Sequence, residues 1–345
     1  MIIYSDTQLD FSDVLLRPKR SCVLSRSDAD ITRDYSFFNS DAKVSGTGII
    51  SANMGTVGTF EVARKMLDKN LFACLHKHYN YEQIKEFLSS VAQERQLKIF
   101  LSIGLREQDI DIAKNIIDDD LTVSICIDVP NGYIPPVKKL VIDLRVLGYK
   151  GPIMVGNVVT GDITEDLILS GASIVKVGIG SGSACLTRRI TGVGRPQLSA
   201  IIECAEAAHC VGGMICADGG VTCPGDVCKA LAAGADFVMI GGYYAGANET
   251  DGEIIEKDGQ KYKIYYGMSS EYAQKKFYNG MPKYRASEGR VVEVQYKGSI
   301  DDVNDEILGG IRSCMGYIGA RRLKDIPKFA SFYKVHNQLN TVFEK

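Results

Sequence analysis

Residues 175–197 read VKVGIGSGSACLTRRITGVGRPQ, and this stretch places a cysteine directly after a glycine-rich loop. The β-branched residues Ile174, Val175 and Val177 predict a buried strand that ends in the loop GIGSGS. Its alternating glycines allow positive φ and bring backbone amides and carbonyls close to a ligand or ion. Cys185 follows beside two arginines, the electropositive surroundings in which reactive cysteines are found. Two interpretations stay open: a reactive thiol in a binding loop, or a tight turn with a small apolar cysteine.

The same change from apolar run to loop recurs along the chain. Eight runs predict strands: GIISANM (48–54), FACLHKH (72–78), KIFLSIG (98–104), SICIDVP (124–130), PIMVGNV (152–158), SIVKVGIG (173–180), GMICADGG (213–220) and FVMIGGY (237–243). Amphipathic helical patterns such as 59–70 and 81–96 lie between them, which predicts a parallel sheet buried on both faces. Eight such units favour a closed (β/α)8 TIM barrel of the α/β class over an open doubly wound sheet. We therefore predict a single catalytic domain over residues 1–345.

In a TIM barrel the carboxyl ends of the strands form the active face. This rule gathers residues that are distant in sequence around one mouth, together with Cys185: Asn53, Met54, Lys77, Asp128, Asn157, Gly180, Asp218, Gly219, Gly220, Gly241 and Gly242. The last two strands end in Asp-Gly-Gly and Gly-Gly, where barrels often hold a phosphate through exposed backbone amides. These glycines predict a phosphate site, and tight turns are the alternative.

A segment after the eighth strand, at about 244–298, fits no βα unit. It contains a hairpin signal at Asp258-Gly259, the helix-like AQKKFY and the run YRASEGR. A long excursion at this position is typical of a lid or binding flap, and Arg285, Ser287 and Glu288 could reach the mouth from it. An exposed charged loop is the alternative. The apolar spacing of 301–320 then predicts the last helix of the barrel.

Charge and cysteine usage limit the class of protein. Lysine and arginine number 40 against 42 aspartates and glutamates, so no overall field attracts nucleic acid or an acidic membrane surface. Apolar runs fall short of the ~18 residues that span a bilayer. Ten cysteines without a C-x-x-C pair or a secretory leader predict reduced thiols in a cytoplasmic protein. We expect a small-molecule substrate and neither a nucleic-acid nor a membrane partner.

Two further motifs do not predict an additional metal or dinucleotide site. His76 and His78 form an H-x-H pair that could bind a metal ion, but no third ligand has plausible spacing, so we expect packing or mouth-lining roles. The loop GIGSGS lacks the third glycine of G-x-G-x-x-G and the acidic residue that follows it in a Rossmann unit. A Rossmann dinucleotide site is therefore not expected.

Several motifs together resemble the IMP dehydrogenase/GMP reductase family over nearly the whole chain. They are GIGSGSACLTRR with GVGRPQ, DGG and GG on the later strands, GMSS and YRASEG after strand eight, and the early DFSDVLLRPKR. Members of the dehydrogenase branch usually carry paired CBS modules after the second strand, whereas only His78 to Lys98 joins the second and third predicted strands here. SANMGTVGTFEVA, CLHKHY and YRASEGR also resemble the reductase branch, and no clear water-activating Arg-Tyr pair is found.

The resemblance to the reductase branch implies NADPH-dependent reductive deamination of GMP to IMP and ammonia. It implies that the Cys185 thiolate attacks C2 of the guanine and forms a covalent thioimidate. Thr187 and Glu288 would move the proton with which the amine leaves as ammonia. A hydride from NADPH would then reach C2, and the thiolate would depart.

The resemblance also implies binding roles. GMP would be held by Asp218, Gly219, Gly220, Gly241, Gly242, Gly267, Met268, Ser269, Arg285, Ala286, Ser287, Glu288 and Gly289. NADPH would contact Ser25, Arg26, Lys77, Asp128, Val129, Pro130, Ile179, Gly180, Met268, Tyr284, Arg285, Ser313, Cys314, Met315 and Gly316. In the family's usual homotetramer, Ser25 and Arg26 would reach a neighbour's cofactor. A potassium ion would be held at Gly180, Gly182, Cys185 and Arg188.

The sequence departs from the family pattern at two places. Ser181 and Leu186 stand where relatives often differ, and the segment 313–316 is not the usual hydroxyl-rich cofactor segment. An IMP dehydrogenase without its insertion, which oxidises IMP to XMP with NAD, is the alternative within the family. A catalytically silent nucleotide sensor is the alternative from another class. Loss of Cys185, Thr187 or Glu288 would mark such a sensor, and all three are present.

Overall fold

Eight parallel strands close into a barrel in the computed structural model of the chain, which describes residues 1–336. The strands of the chain are β1 Val14–Leu16, β2 Arg33–Ser36, β3 Lys43–Gly46, β4 Ile49–Ser51, β5 Phe72–Leu75, β6 Ile99–Ile103, β7 Ser124–Asp128, β8 Ile153–Val158, β9 Ile174–Val177, β10 Met214–Asp218, β11 Phe237–Ile240, β12 Ile254–Lys257, β13 Gln260–Tyr266, β14 Val291–Gln295 and β15 Phe332–Lys334. The barrel runs from β4 to β11 in sequence order, and β11 pairs back with β4.

Helices lie between the barrel strands and after them. They are α1 Phe60–Asp68, α2 Tyr81–Ser89, α3 Gln93–Gln96, α4 Glu107–Asp118, α5 Pro135–Val146, α6 Gly161–Leu169, α7 Thr187–Thr191, α8 Gln197–Cys210, α9 Pro224–Ala232, α10 Glu271–Phe277, α11 Ile300–Ile318 and α12 Ile326–Phe329. Side chains that alternate along the strands build two cores, one between strands and helices and one inside the barrel. The inner core includes Phe72, Phe100 and Phe237.

The predicted (β/α)8 TIM barrel is confirmed, and each of the eight predicted runs contains one barrel strand. The strands are shorter than the apolar runs. FACLHKH leaves the sheet after Leu75, and SIVKVGIG leaves it after Val177, since Gly178 and Gly180 take positive φ of 152° and 82° and turn the chain along the mouth. His76 and His78 therefore lie in a loop and not on a strand.

A hairpin that the sequence analysis did not predict, β2 with β3, packs under the amino-terminal end of the barrel. Its Tyr35 stacks on Phe237 with ring centroids 4.4 Å apart, and the Tyr35 hydroxyl donates to the Asp236 carbonyl oxygen at 3.3 Å. Burial raises the pKa of the Tyr35 hydroxyl, so the ring stays neutral. Because Asp236 directly precedes β11, the hairpin seals the end of the barrel opposite the mouth.

The segment between β11 and α11 contains a three-stranded antiparallel sheet of β12, β13 and β14. The predicted hairpin is present: Asp258 and Gly259 take positive φ of 52° and 72° between β12 and β13. Helix α10 covers most of the AQKKFY run, and α11 matches the predicted last helix. Strand β14 was not predicted from the sequence. That this segment acts as a flap stays a prediction.

The cysteines and the lengths of the helices bear on the expected class of protein. All ten cysteines are free thiols. Along residues 1–336, no helix combines the length and the apolar character that crossing a membrane requires. Residues 337–345 of the predicted domain lie outside the described residues.

Asp236 links three elements at the amino-terminal end of the barrel. Its substitution therefore tests how much these contacts stabilise the fold. Its carboxylate, 3% exposed, pairs with Arg33 at 2.8 Å and His209 at 2.8 Å and accepts from the Ile215 amide at 3.0 Å. We expect Asp236→Asn to lower the free energy of unfolding in urea by about 2 kcal/mol, because hydrogen bonds to charged groups contribute about 1.5–3 kcal/mol. Asp34→Asn, an exposed position on the same hairpin, should change it by less than about 0.5 kcal/mol. Equal losses in the two variants would contradict this assignment.

Candidate active site

A cavity of about 450 Å³ opens at the carboxyl ends of the barrel strands. Its volume lies in the range of small-molecule sites. The walls come from the ends of the barrel strands, from the loop after β9 and from the segment between β13 and β14. This is the face at which a TIM barrel gathers residues from separate βα loops. The mouth predicted from the sequence is therefore an open cavity.

Cys185 stands in this cavity at the start of a hydrogen-bonded line of three side chains. Its Sγ lies 3.2 Å from Thr187 Oγ1, and the Thr187 backbone N–H donates to the same sulfur at 3.5 Å. Thr187 Oγ1 in turn donates to Glu288 Oε2 at 2.7 Å. The thiol is partly exposed, so a ligand can reach it. A nucleophile, a relay hydroxyl and a carboxylate base in this order can generate a thiolate and move its proton.

Backbone pairing brings Glu288 to Cys185 although they lie about a hundred residues apart. Cys185 and Gly289 form an antiparallel bridge, in which the Leu186 amide donates to the Glu288 carbonyl at 2.7 Å. On the other side, the Arg290 amide donates to the Ala184 carbonyl at 3.0 Å. A Cβ at Gly289 would meet the Ser270 amide nitrogen at 2.7 Å, so only glycine fits this approach.

Glycines form a backbone cradle on the β10 and β11 side of the cavity. Gly219 has a φ of 91°, and a Cβ there would lie 2.6 Å from Ser181 Oγ. A Cβ at Gly241 would lie 2.8 Å from the Tyr265 hydroxyl, and one at Gly242 would collide with Ser183. Side chains at these three positions would collide with residues that line the cavity. With glycine there, the backbone amides can face an anion in the cavity.

A buried lysine connects the two sides of the cavity. Lys176 on β9 is 2% exposed, and its Nζ lies 2.9 Å from Asp128 and 2.7 Å from Asp218. Asn157 donates to the same Asp218 carboxylate at 2.9 Å and to the Gly178 carbonyl at 2.7 Å. These contacts fix both carboxylates and the first glycine of the cysteine loop.

The opposite charges of Asp128 and Lys176 keep each other ionised. Burial favours the neutral form of Asp128, but the attraction of Lys176 and then of Lys77 outweighs burial and lowers the Asp128 pKa to about 2. Burial alone would lower the pKa of Lys176, and the two carboxylates raise it well above its usual value. The cluster therefore presents an ionised Asp128 carboxylate and the Lys176 ammonium at neutral pH.

Lys176 was not among the predicted site residues, because it lies within the apolar run SIVKVGIG. One signal could have identified it. Lys176 shares the strand face of Ile174, which belongs to the core inside the barrel, and a lysine at such a position needs an anionic partner. Arg106, Gln274 and Tyr278 also line the cavity without having been predicted to do so.

Most of the predicted site residues line this cavity together. They are Lys77, Asp128, Val129, Pro130, Ile179, Gly180, Gly182, Cys185, Thr187, Asp218, Gly219, Gly220, Gly241, Gly242, Gly267, Met268, Ser269, Arg285, Glu288 and Gly289. His78 lines it too, as one of the two interpretations of the H-x-H pair expected. Ala286 and Ser287 do not line it, although the Ser287 hydroxyl donates to the Gly289 carbonyl at 3.0 Å.

A second group of predicted cofactor residues lies apart from the cavity. Ser25 and Arg26 belong to an exposed short turn that packs against α11, the helix that carries residues 313–316. Within that helix, the side chain of Met315 is fully buried in the core and is not exposed at the helix surface. Tyr284 is 91% exposed. Ser25, Arg26 and Tyr284 therefore lie on the surface outside the cavity of a single chain.

The predicted potassium ligands surround the cysteine loop. The Gly182 carbonyl accepts from the Cys185 amide at 3.0 Å. The Arg188 guanidinium pairs with Asp10 at 3.0 Å, and its aliphatic stem lies where a Cβ at Gly180 would stand. Over residues 1–336, no cluster of three or more histidine, cysteine, aspartate or glutamate side chains is arranged for a metal ion. A cation in this loop would therefore depend on backbone carbonyls.

Comparison with known proteins identifies the family of the chain. The sequence profile described as the IMP dehydrogenase / GMP reductase domain matches residues 8–340. The chain is 51% identical to GMP reductase 2 of Mus musculus over 342 residues, which cover 99% of this chain and 98% of that protein. It is 51% identical to GMP reductase 2 of Homo sapiens over 344 residues, and 47% identical to GMP reductase of Shigella boydii over 344 residues, with 99% of each chain covered in both cases. The chain therefore belongs to the IMP dehydrogenase/GMP reductase family.

Proposed function

We propose that this chain catalyses the NADPH-dependent reductive deamination of GMP to IMP and ammonia. The observation that carries the proposal is the line from Cys185 through Thr187 to Glu288, at the mouth of the barrel and beside the glycine cradle. The relatives named GMP reductase, similar over nearly their whole length, support this reaction over the oxidation of IMP. So does the short connection between β5 and β6, which holds only α2 and α3.

In the first half of the reaction, a bond from C2 of the purine to sulfur replaces the bond from C2 to the exocyclic amine. Glu288 accepts a proton from Thr187, and Thr187 takes the proton of the Cys185 thiol. The thiolate attacks C2, and the S–C bond forms while a ring nitrogen receives the proton. The C2–N bond to the exocyclic amine then breaks, and the amine leaves with its electron pair and that proton as ammonia. A thioimidate on Cys185 is left.

The second half releases the base from sulfur. When bound, NADPH supplies a hydride to C2. The S–C bond breaks, its electron pair returns to Cys185, and the thiolate regains a proton from solvent. Throughout both halves, the antiparallel bridge between Cys185 and Gly289 keeps Glu288 beside Thr187. Asp128 and Asp218 stay fixed by Lys176.

The cavity also suggests where each ligand binds. We assign the nucleotide to Cys185, the glycine cradle and the 267–269 and 285–289 segments, because these surround the thiol. We assign the cofactor to the side with Lys77, Asp128 to Pro130, Ile179 and Gly180. Ser25 and Arg26 lie on an exposed turn outside the cavity, so we assign them, with 313–316, to the cofactor site of a neighbour in a homotetramer, as in the family. We further propose that a potassium ion binds at the cysteine loop. The chain would form a single catalytic domain with a flap at about 244–298, and the protein would be cytoplasmic.

One assay tests the reaction and its direction. Purified protein with GMP and NADPH should lose the absorbance of the reduced cofactor and release IMP and ammonia in equal amounts. Cys185→Ala should abolish turnover while GMP still binds, because the glycine cradle is untouched. Turnover only with IMP and NAD would overturn the proposed function. Activity retained by Cys185→Ala would remove the covalent mechanism.

A second variant tests the role of Glu288. We expect Glu288→Gln to lower kcat by about 10²- to 10⁴-fold, the usual contribution of a positioned acid or base, with the KM for GMP changed little. The matched control is Glu293→Gln, on strand β14, whose side chain pairs with Lys257 on the surface sheet. That control should leave both parameters near the wild-type values. A change confined to KM in Glu288→Gln would contradict proton transfer.

A third variant tests the buried lysine. Lys176→Met removes the ammonium that holds the pKa of Asp128 down, so burial should raise that pKa towards neutrality. An ionised Asp128 contributes above its pKa, so the variant should lose more kcat/KM for NADPH than the wild type loses as pH falls through the raised value. Lys138→Met removes a half-exposed partner of Asp166 at 2.6 Å and should leave the profile unchanged. Identical profiles for Lys176→Met and the wild type would refute the assignment.

A further inference from the structure

Two aromatic contacts join the end of α10 to the rim of the barrel. His78, in the loop after β5, stacks on Phe277 with ring centroids 3.9 Å apart and planes 8° from parallel. The Arg106 guanidinium, at the start of α4, lies 4.3 Å from the ring centroid of the next residue, Tyr278. Each of these two consecutive residues is therefore covered by a side chain from a different βα loop.

The same contacts surround Lys77. His76, on one side of it, stacks on Tyr79 with centroids 4.1 Å apart, which attaches that side to the barrel. His78, on the other side, stacks on α10. His78, Arg106 and Tyr278 also line the cavity on the side with Lys77 and Asp128. The His78 ring thus links α10 to the loop that carries Lys77, beside the contact of Arg106 with Tyr278.

The environment of His78 suits a neutral ring. Its Nε2 is buried and, among residues 1–336, has no hydrogen-bond partner, while its backbone N–H donates to His76 Nδ1 at 3.3 Å. Burial and then the charges of His76, Lys77 and Arg106 lower the pKa of His78 to about 4. On the α10 side, Phe277 stacks on the His78 ring and Tyr278 meets it edge-on with centroids 5.3 Å apart. The Lys276 ammonium lies 5.6 Å from the centroid of the Phe277 ring. A protonated His78 ring would be repelled by the positive charges of Lys77 and Arg106.

We propose that His78 is a positioning residue that fixes α10 over the cofactor side of the cavity by stacking on Phe277. It acts through Phe277 and Lys77 and exchanges no proton with the substrate. The proposal rests on the proposed function only in naming the cofactor as NADPH. If the contact opens, the exposed ring regains its ordinary pKa near 6.5, so the closed arrangement weakens as pH falls from about 6.5 towards about 4.

Hydrogen exchange of the protein without ligands tests the contact independently of activity. The variants are His78→Ala, which removes the stack, and His78→Phe, which keeps an aromatic ring. Phe60→Leu is the matched control, since Phe60 stacks on Tyr79 at 3.8 Å and does not contact α10 through a ring. We expect amides of 271–278 to exchange about 3- to 10-fold faster in His78→Ala, the size that one aromatic pair supports, and at the wild-type rate in the other two. Unchanged exchange in His78→Ala would overturn the proposal.

Kinetics then tests the consequence for the cofactor. His78→Ala should raise the KM for NADPH by about 3- to 10-fold, with kcat and the KM for GMP near the wild-type values, and His78→Phe should restore it. In the wild type the KM for NADPH should rise between pH 6.5 and 5, and in His78→Phe that rise should be absent. A loss of kcat without a change in KM for NADPH would refute the positioning role. If even the wild type fails to reduce GMP, the proposed function is wrong, and the exchange result still decides the contact.

Discussion

The Lys176 ammonium is buried inside the barrel mouth, where bulk water cannot solvate it. The rest of the active face depends on how this charge is compensated. A buried charge needs opposite charges and hydrogen bonds at short range. Asp128 at the end of β7 and Asp218 at the end of β10 supply them, at 2.9 and 2.7 Å. Three strand ends are thereby fixed relative to one another, and so are the two groups that we assign to the cofactor and the nucleotide.

The cysteine loop depends on this cluster. Asn157 links the Asp218 carboxylate to the Gly178 carbonyl, where the loop leaves β9. From there the chain reaches Cys185, and backbone hydrogen bonds with residues 288–290 hold it against the distant segment that carries Glu288. The line from thiol to carboxylate is therefore held by main-chain pairing at one end and by buried charges at the other, which suits groups that must keep their geometry through two bond exchanges.

Periodicity and local motifs predicted the barrel and much of the candidate site. Apolar runs that alternate with amphipathic helices encode βα units directly, and the Asp258-Gly259 turn encodes a hairpin, because these are local properties. The β2–β3 hairpin was missed, since its Tyr35 and Phe37 become core residues only against Phe237, two hundred residues later in the chain. Strand β14 was missed because it is partly exposed and gains its pairing from β13.

The sequence by itself determined the eight strands, the glycines that free the backbone at the mouth and the identities of Cys185, Thr187 and Glu288. Family resemblance attached a reaction to those residues. Only the tertiary structure decided which of them touch: the 2.7 Å contact between Thr187 and Glu288, the ion pairs of Lys176 and the stack of His78 on Phe277. The physical reason is that side-chain contacts between distant segments depend on how strands and loops close in space, which no local pattern records.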